Sequence, residues 1–407
     1  MRILNRLKEK LDYIAAITGI YGVELVYILV FVLPLGKEFI LEIFLYFTLF
    51  YIGFLYLAFN YTILWAAIKR NIKLVPSAMR RLYAWLRTFK GGLTLFCIIL
   101  IATIPLLTQN DYYLGSMFIV AMIYTIYAAS WDFLAGYTGR VSFGQAAFFG
   151  FAGYVTADRL QIQNWNWLPS LLFGALMAVL ISLVIGIPAL RLKGPYLALA
   201  TMSFGNILYL LFAMPTILYG SEGLFGLSRL SNNVVVEYYV VFVFMILSLA
   251  IMKAIGNSKL GTVFKSIRDD ETGAEASGIN TTKYKILAFM ISAFFAGIAG
   301  GFFTLRNTAV SAQIFGATYS FYPIVMVAIG GIATISGAGV GAFFFIFLIE
   351  ILRGVADLNL KWLPVEFLDD ALIFSVLLLL VIRFAGAGVL KSTIERLKNL
   401  WDILLGR

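Results

Sequence analysis

The stretch SIRDDETGAEASGINTTKYKILAF, residues 266–289, decides how this chain is read. Its first half carries Arg268, Asp269, Asp270, Glu271 and Glu275. Its second half opens an apolar run that continues as MISAFFAGIAGG to Gly301. A helix needs roughly 20 mostly apolar residues to cross a bilayer. A carboxylate-rich block set directly against such a run is a connector between two membrane spans.

The rest of the chain agrees. Of 407 residues, 61% are hydrophobic and 13% are charged, with 36 Phe. Soluble domains average about 45–50% apolar and about 25% charged residues. The mean hydropathy is +0.92. The expected fold is therefore all-α, a polytopic transmembrane helical bundle. Twelve candidate segments are legible: 15–34, 39–67, 91–108, 114–135, 143–158, 168–190, 195–219, 234–253, 286–304, 321–335, 338–353 and 370–385. Several are short, so the expectation is about 10–12 spans. The segment 143–158 and the pair around the Gly-rich turn 330–341 are candidates for re-entrant or broken helices. Such backbone survives at membrane depth only where protein buries it or where it lines a cavity.

Charge gives the orientation. With the N-terminus inside, 25 of the 31 Lys and Arg fall on the cytoplasmic side and 6 on the other. That asymmetry places both termini in the cytoplasm, and it accounts for the net charge of +10 without nucleic acid as a partner. The basic start, MRILNRLKEKLDYIAA, lacks a small-residue cleavage site and reads as a retained end. Residues 69–90 carry seven basic side chains and no acidic ones, the pattern of a helix lying on membrane lipid. This divides the chain into an accessory extension, 1–90, a core, 91–390, with its cytoplasmic connector at 255–285, and a basic tail, 391–407.

Composition also narrows the chemistry. There is no His, which removes His-ligated metal sites and Ser–His catalysis, and no metal or cofactor is expected. The lone Cys97 has no intrachain partner. GAGVLKST, 386–393, lacks the second Gly before its Lys and does not follow a strand, so it is not a phosphate loop. No carboxylate cluster marks a proton or sodium relay, which weighs against an ion-driven carrier. Asp132 lies near the inner end of its segment, within reach of Arg140 as a candidate partner. No metal site or nucleophile–base pair supports an intramembrane enzyme.

Three features remain. In GYTGRVSFGQAAFFGFAGY, 136–154, five Gly permit close helix packing or a broken helix, and Ser142 and Gln145 add polarity. In TMSFGNI, 201–207, Ser203 and Asn206 share one helix face. These four residues are candidates for a shared translocation pathway, with interhelical bonding as the plainer reading. In the opening block, KLGTVFKSIRDD is amphipathic, and DETGAEAS forms a short helix that stops at Gly278. Asn280 or Thr281 then caps the next span. A short, protruding helix of small residues suits docking into a partner's cleft. Arg268, Asp269, Asp270, Glu271, Glu275, Ala276 and Gly278 are its candidate residues.

The segments SIRDDETGAEASGINTTKYKILAFMISAFFAGIAGG, GRVSFGQAAFFGFAGY, LRLKGPYLALATMSFGNI, GSEGLFGL and VMVAIGGIATISGAGVGAF resemble the M-type permeases of branched-chain amino-acid (Leu/Ile/Val) ABC transporters, over roughly 114–385. That resemblance implies a permease without enzymatic activity of its own. It also implies a second homologous permease, two separate ABC ATPase subunits, an external substrate-binding protein and a prokaryotic inner-membrane location. It implies that Glu275, Ala276 and Gly278 lie in the ATPase-docking loop. Gln145 stands where many members have His, and Arg140 where many have Gln. A sister branch carries urea and short amides.

Overall fold

The computed structural model describes residues 99, 101–105, 112–192, 194–214, 220 and 222–357. The expected spans 15–34, 39–67 and 370–385, most of 91–108, the basic segment 69–90 expected on the membrane surface, the extension 1–90 and the tail 391–407 lie outside the described residues. Described residues up to Phe347 form one compact unit, and 348–357 belong to another.

Apolar runs become helices wherever Gly, Pro or polar pairs do not interrupt them. The order is α1 (Tyr112–Thr138), α2 (Gln145–Gln161), α3 (Trp167–Ala189), α4 (Pro195–Ala213), β1 (Leu224–Phe225), α5 (Val234–Gly256), α6 (Lys259–Asp269), α7 (Glu271–Ala276), α8 (Thr281–Asn307), β2 (Ala309–Val310), a 3-10 turn (Ala312–Phe315), α9 (Ala317–Gly330) and α10 (Ile335–Asp357). Among the described residues, α1, α3, α4, α5 and α8 are long and apolar enough to cross a membrane. The two short strands pair antiparallel, Leu224 opposite Val310, and bring residues 224–227 against the segment that follows α8.

Of the two segments expected to be re-entrant or broken, one differs and one agrees. Residues 143–158 are no broken helix: α2 is one helix of 17 residues, buried on nearly every side. Residues 321–335 and 338–353 do form a broken pair. α9 and α10 bend by 110° across four residues, where Gly331 (φ 106°) and Ala333 (φ 63°) take conformations that end a right-handed helix.

The core sits where α8 meets α1, α2 and α3. Buried Ala and Gly line this seam: Gly297 faces Ala175 and Ala178, and Gly301 faces Leu171. Small residues let backbones approach closely where lipid gives no hydrophobic drive for association. At Gly300 there is no room at all, because a Cβ there would land on the Phe149 carbonyl oxygen. Gly300→Val should therefore push α2 off α8, costing about 3 kcal/mol by overpacking. Thermal unfolding of the purified chain checks this, and an unchanged midpoint would remove the close-packed seam. Aromatic rings fill the space between α1, α2 and α9, with Tyr127 and Phe149 centroids 4.4 Å apart. Tyr127 also donates its hydroxyl to the Tyr319 carbonyl at 2.9 Å. At one end of α8, Arg306 pairs with Glu237 at 3.0 Å; both are buried, which ties α8 to α5.

Candidate functional site

The connector between α5 and α8 is an ordered, three-part element. In α6, Gly261, Phe264 and Ile267 are buried, Lys259, Arg268 and Asp269 are exposed, and Lys265 is half-buried over the Tyr137 ring. The Phe264 ring meets Phe133 of α1 edge-on at 5.9 Å. The helix breaks at Asp270, whose extended backbone (φ −154°, ψ 102°) starts α7 at a new angle. Only Ala274 of α7 is buried, so Thr272, Glu275 and Ala276 are exposed, as are Ser277 and Gly278 beyond it.

The stop after α7 has two bonds. Ile279 N donates to the Ala274 carbonyl at 3.1 Å, and Gly278 N donates to the Glu275 carbonyl at 2.9 Å. Gly278 sits at φ +83°. This is a Schellman stop, which satisfies carbonyls the helix itself leaves free. Asn280 Oδ1 then accepts from Lys283 N at 3.0 Å and starts α8. Thr281 Oγ1 donates to Glu275 Oε1 at 2.6 Å, joining the end of α7 to the first turn of α8.

Glu271 fastens this element to the helical body. One carboxylate oxygen takes Arg140, from the turn after α1, and the other takes Lys285 of α8. Lys285 and Arg140 are 6% and 12% exposed, so the carboxylate is their main source of compensation. Burial alone would raise the Glu271 pKa. The hydrogen bond from Lys285 and the charge of Arg140 outweigh it and hold the carboxyl below its ordinary value. Arg268 pairs with the neighbouring Asp269 at 2.8 Å and donates to the Gly136 carbonyl at 2.9 Å. Asp270 makes no side-chain cap bond to α7.

Arg140 thus goes to Glu271 and not to Asp132. The chain leaves α1 at Gly139 (φ +68°), which turns Arg140 away from the helix. Asp132 is fully buried and accepts from Ala333 N at 2.6 Å.

The four other candidates separate into two pairs. Ser142 and Gln145 are sealed inside. Gln145 Nε2 donates to Ser130 Oγ at 2.9 Å and Ser292 Oγ at 3.0 Å, bridging α1, α2 and α8. Ser142 Oγ accepts from Gly144 N at 3.2 Å. Ser203 and Asn206 lie on the exposed strip of α4, with Tyr196, Leu199 and Leu210. Ser203 Oγ donates to the Leu199 carbonyl at 3.0 Å. The opposite face of α4 is buried and includes Thr201, whose Oγ1 accepts from Phe143 N at 3.1 Å. The four therefore share no single lining. The sequence reading missed Ser130, Ser292 and Thr201; the clue was a hydroxyl inside an apolar run, a pattern too common to single them out. Next to this arrangement, the turn 139–143 and the start of α4 enclose a cleft of about 420 Å³.

Residues 113–382 match the family model described as the permease component of the branched-chain amino acid transport system. The chain is 26% identical over 312 residues to the LivM high-affinity branched-chain amino acid transport permease protein of Escherichia coli (strain K12), covering 69% of this chain and 70% of that protein. The corresponding Salmonella typhimurium protein gives the same identity and coverage. A probable LivM of Methanocaldococcus jannaschii is 24% identical over 237 residues, covering 54% of this chain and 68% of that protein. No solved structure matches. With a family match across most of its length and the same apolar helices that composition predicts, the chain belongs to the family of branched-chain amino acid transport permeases, M-type, and is a membrane protein.

Proposed function

We propose that this chain is the membrane permease subunit of an ABC importer for branched-chain, apolar amino acids in a prokaryotic inner membrane. It works with a second homologous permease, two ABC ATPase subunits and an external binding protein. Both termini and the connector face the cytoplasm. Residues 259–278 are the surface on which an ATPase subunit docks, with Glu275, Ala276 and Gly278 at the contact and Arg268, Asp269, Asp270 and Glu271 supporting it. The observation that carries this reading is the connector's build: an exposed short helix with a defined stop, fastened by a half-buried ion cluster. A passive loop needs neither feature.

Ser203 and Asn206 face the translocation pathway or the paired permease. An amide and a hydroxyl on an otherwise apolar, exposed helix strip would be costly against lipid alone. Ser142 and Gln145 act from behind, holding α1, α2 and α8 in register beneath that lining.

Uptake of radiolabelled leucine into cells with and without this chain tests the reading. Uptake should depend on the chain, survive collapse of the ion gradients and fail on ATP depletion. The opposite dependence would make the protein an ion-driven carrier, and competition by urea or short amides in place of leucine and valine would reassign the substrate. Asn206→Leu should raise the apparent KM for leucine about tenfold, the scale of one lost hydrogen bond. Unchanged kinetics would remove Asn206 from the pathway.

A further inference from the structure

We propose that Asp132 is a positioning residue that links the docking element to the bent α9–α10 pair, through the last two turns of α1. The proposal rests on the docking reading above and extends it to where the motion goes.

Three contacts meet at the end of α1. The first is the Asp132 carboxylate, fully buried, which accepts from Ala333 N at 2.6 Å and also faces the backbone N–H of Thr334. These donors lie in the turn just ahead of α10, outside its hydrogen-bond ladder. Asp132 thus holds the turn that leads into α10 from another helix. Its second oxygen, Oδ2, is buried without a hydrogen-bond partner. A carboxylate retained at that cost, with neither Arg140 nor Arg268 paired to it, has its role in the backbone it holds.

The second contact is one turn further along. A Cβ on Gly136 would lie 2.6 Å from the Ala333 Cα, so α1 and the 331–334 reversal touch backbone to backbone. The third is on the same residue: the Gly136 carbonyl, in the unsatisfied last turn of α1, accepts from Arg268 at 2.9 Å. Arg268 is in the last turn of α6, directly before α7. Its Cγ also sits 3.0 Å from where a Gly139 Cβ would be. The end of α1 is therefore held by the connector on one side and by the bent α9–α10 pair on the other.

The reversal itself is a poised element. Ala333 is a non-Gly residue at φ 63°, and α9 and α10 diverge by 110° around it. Held strain of this kind persists only when its surroundings fix it. A shift of α6–α7 on ATPase closure moves Arg268, and with it the end of α1 and the bond that fixes Ala333.

The test uses the complete transporter in lipid nanodiscs, with Cys97→Ser and Ile332→Cys, a residue 61% exposed at the reversal. The thiol labelling rate at 332 is measured with and without ATP, beside ATP hydrolysed per leucine imported. The rate should change with ATP in the parent protein. Asp132→Ala should abolish that change and raise ATP per leucine about tenfold, within the range of measured site-to-site couplings. Asp132→Asn, which keeps an acceptor oxygen, should restore both. Should the Ala variant fail to assemble, Arg268→Met reads the link from its other end and should also erase the ATP dependence at 332. An Asp132→Ala protein of lower thermal stability but normal labelling change and normal ATP per leucine would overturn the proposal and leave Asp132 as packing alone. So would an Arg268→Met protein that keeps the change, or a parent protein that shows none. Glu275→Lys separates the two failures: if it uncouples while Asp132→Ala does not, the docking reading stands without the link. If neither uncouples, the docking reading falls as well.

Discussion

Replacing Glu271 with Ala is expected to free the segment 259–280 from the helical body. The carboxylate joins Arg140 and Lys285, both nearly buried and both cationic. Its removal leaves two like charges with no counter-charge at the same place. Leaving the two part-buried cations without their counter-charge costs about 1–3 kcal/mol. At about 1.4 kcal/mol per decade, that is a loss of about tenfold to a hundredfold in hydrogen-exchange protection across α6 and α7. Glu271→Gln should fall between, since the amide keeps one acceptor oxygen but no charge. Acid should reproduce the effect. The folded pKa of Glu271 is lowered, so the cluster's contribution is complete above the unfolded value, about 4.3. It is lost as pH falls through the lower folded value. Protection of 259–280 that is equal in Glu271→Ala and the parent protein would show that the apolar face of α6 holds the connector alone.

The second large effect is at the stop. Gly278 is at φ +83°, and a Cβ there would meet nothing within 4 Å. Space is therefore not the constraint; backbone conformation is. An L-residue in the left-handed region costs about 1–2 kcal/mol, and a β-branched one more. Gly278→Ala should be mild. Gly278→Val should break the bonds to Ala274 and Glu275 and redirect the chain into α8. Glu275→Lys acts at the same point, since it loses the bond from Thr281 and inverts an exposed charge. Neither change touches an apolar helix face, so membrane insertion should persist. ATPase affinity should fall about tenfold to a hundredfold in Gly278→Val and Glu275→Lys, or hydrolysis should continue without uptake, because only contact that differs between two states can drive the change between them. Normal ATPase binding and normal uptake in both variants would remove the coupling role.

What was legible in the sequence is what local chemistry sets. The amphipathic spacing of Leu260, Val263, Phe264 and Ile267, the stop at Gly278 and the cap at Asn280 or Thr281 each depend on neighbours within a few residues. The stop stands at Gly278 and Asn280 makes the cap, while of the apolar face Phe264 and Ile267 are buried and Leu260 is exposed. The partners of Glu271 did not, because Arg140 is 131 positions away and no periodicity connects them. Arg140 looked like the partner of Asp132 because both lie near one end of α1, but a left-handed Gly139 between them is invisible to a helical count. The glycines at 330–341 announced a break, while the contacts of Ala333 with Asp132 and Gly136 of another helix were not legible in the local sequence. On α4, spacing put Ser203 and Asn206 on one face, but apolar residues on both sides hid which face is exposed. A bilayer chain conceals that choice, because the buried face and the outer face are both apolar.

The central claim is that ATP energy enters through residues 259–278. A photo-crosslinking amino acid at Ala276, exposed on α7, tests it in membranes that hold the full transporter. The control position is Leu176, exposed on the apolar span α3. The account predicts a covalent adduct between this chain and an ATPase subunit from position 276 and none from 176, with the yield at 276 changing when ATP is trapped. Leucine uptake driven by ATP in the same membranes, with no ATPase adduct from position 276 in any nucleotide state, would contradict it.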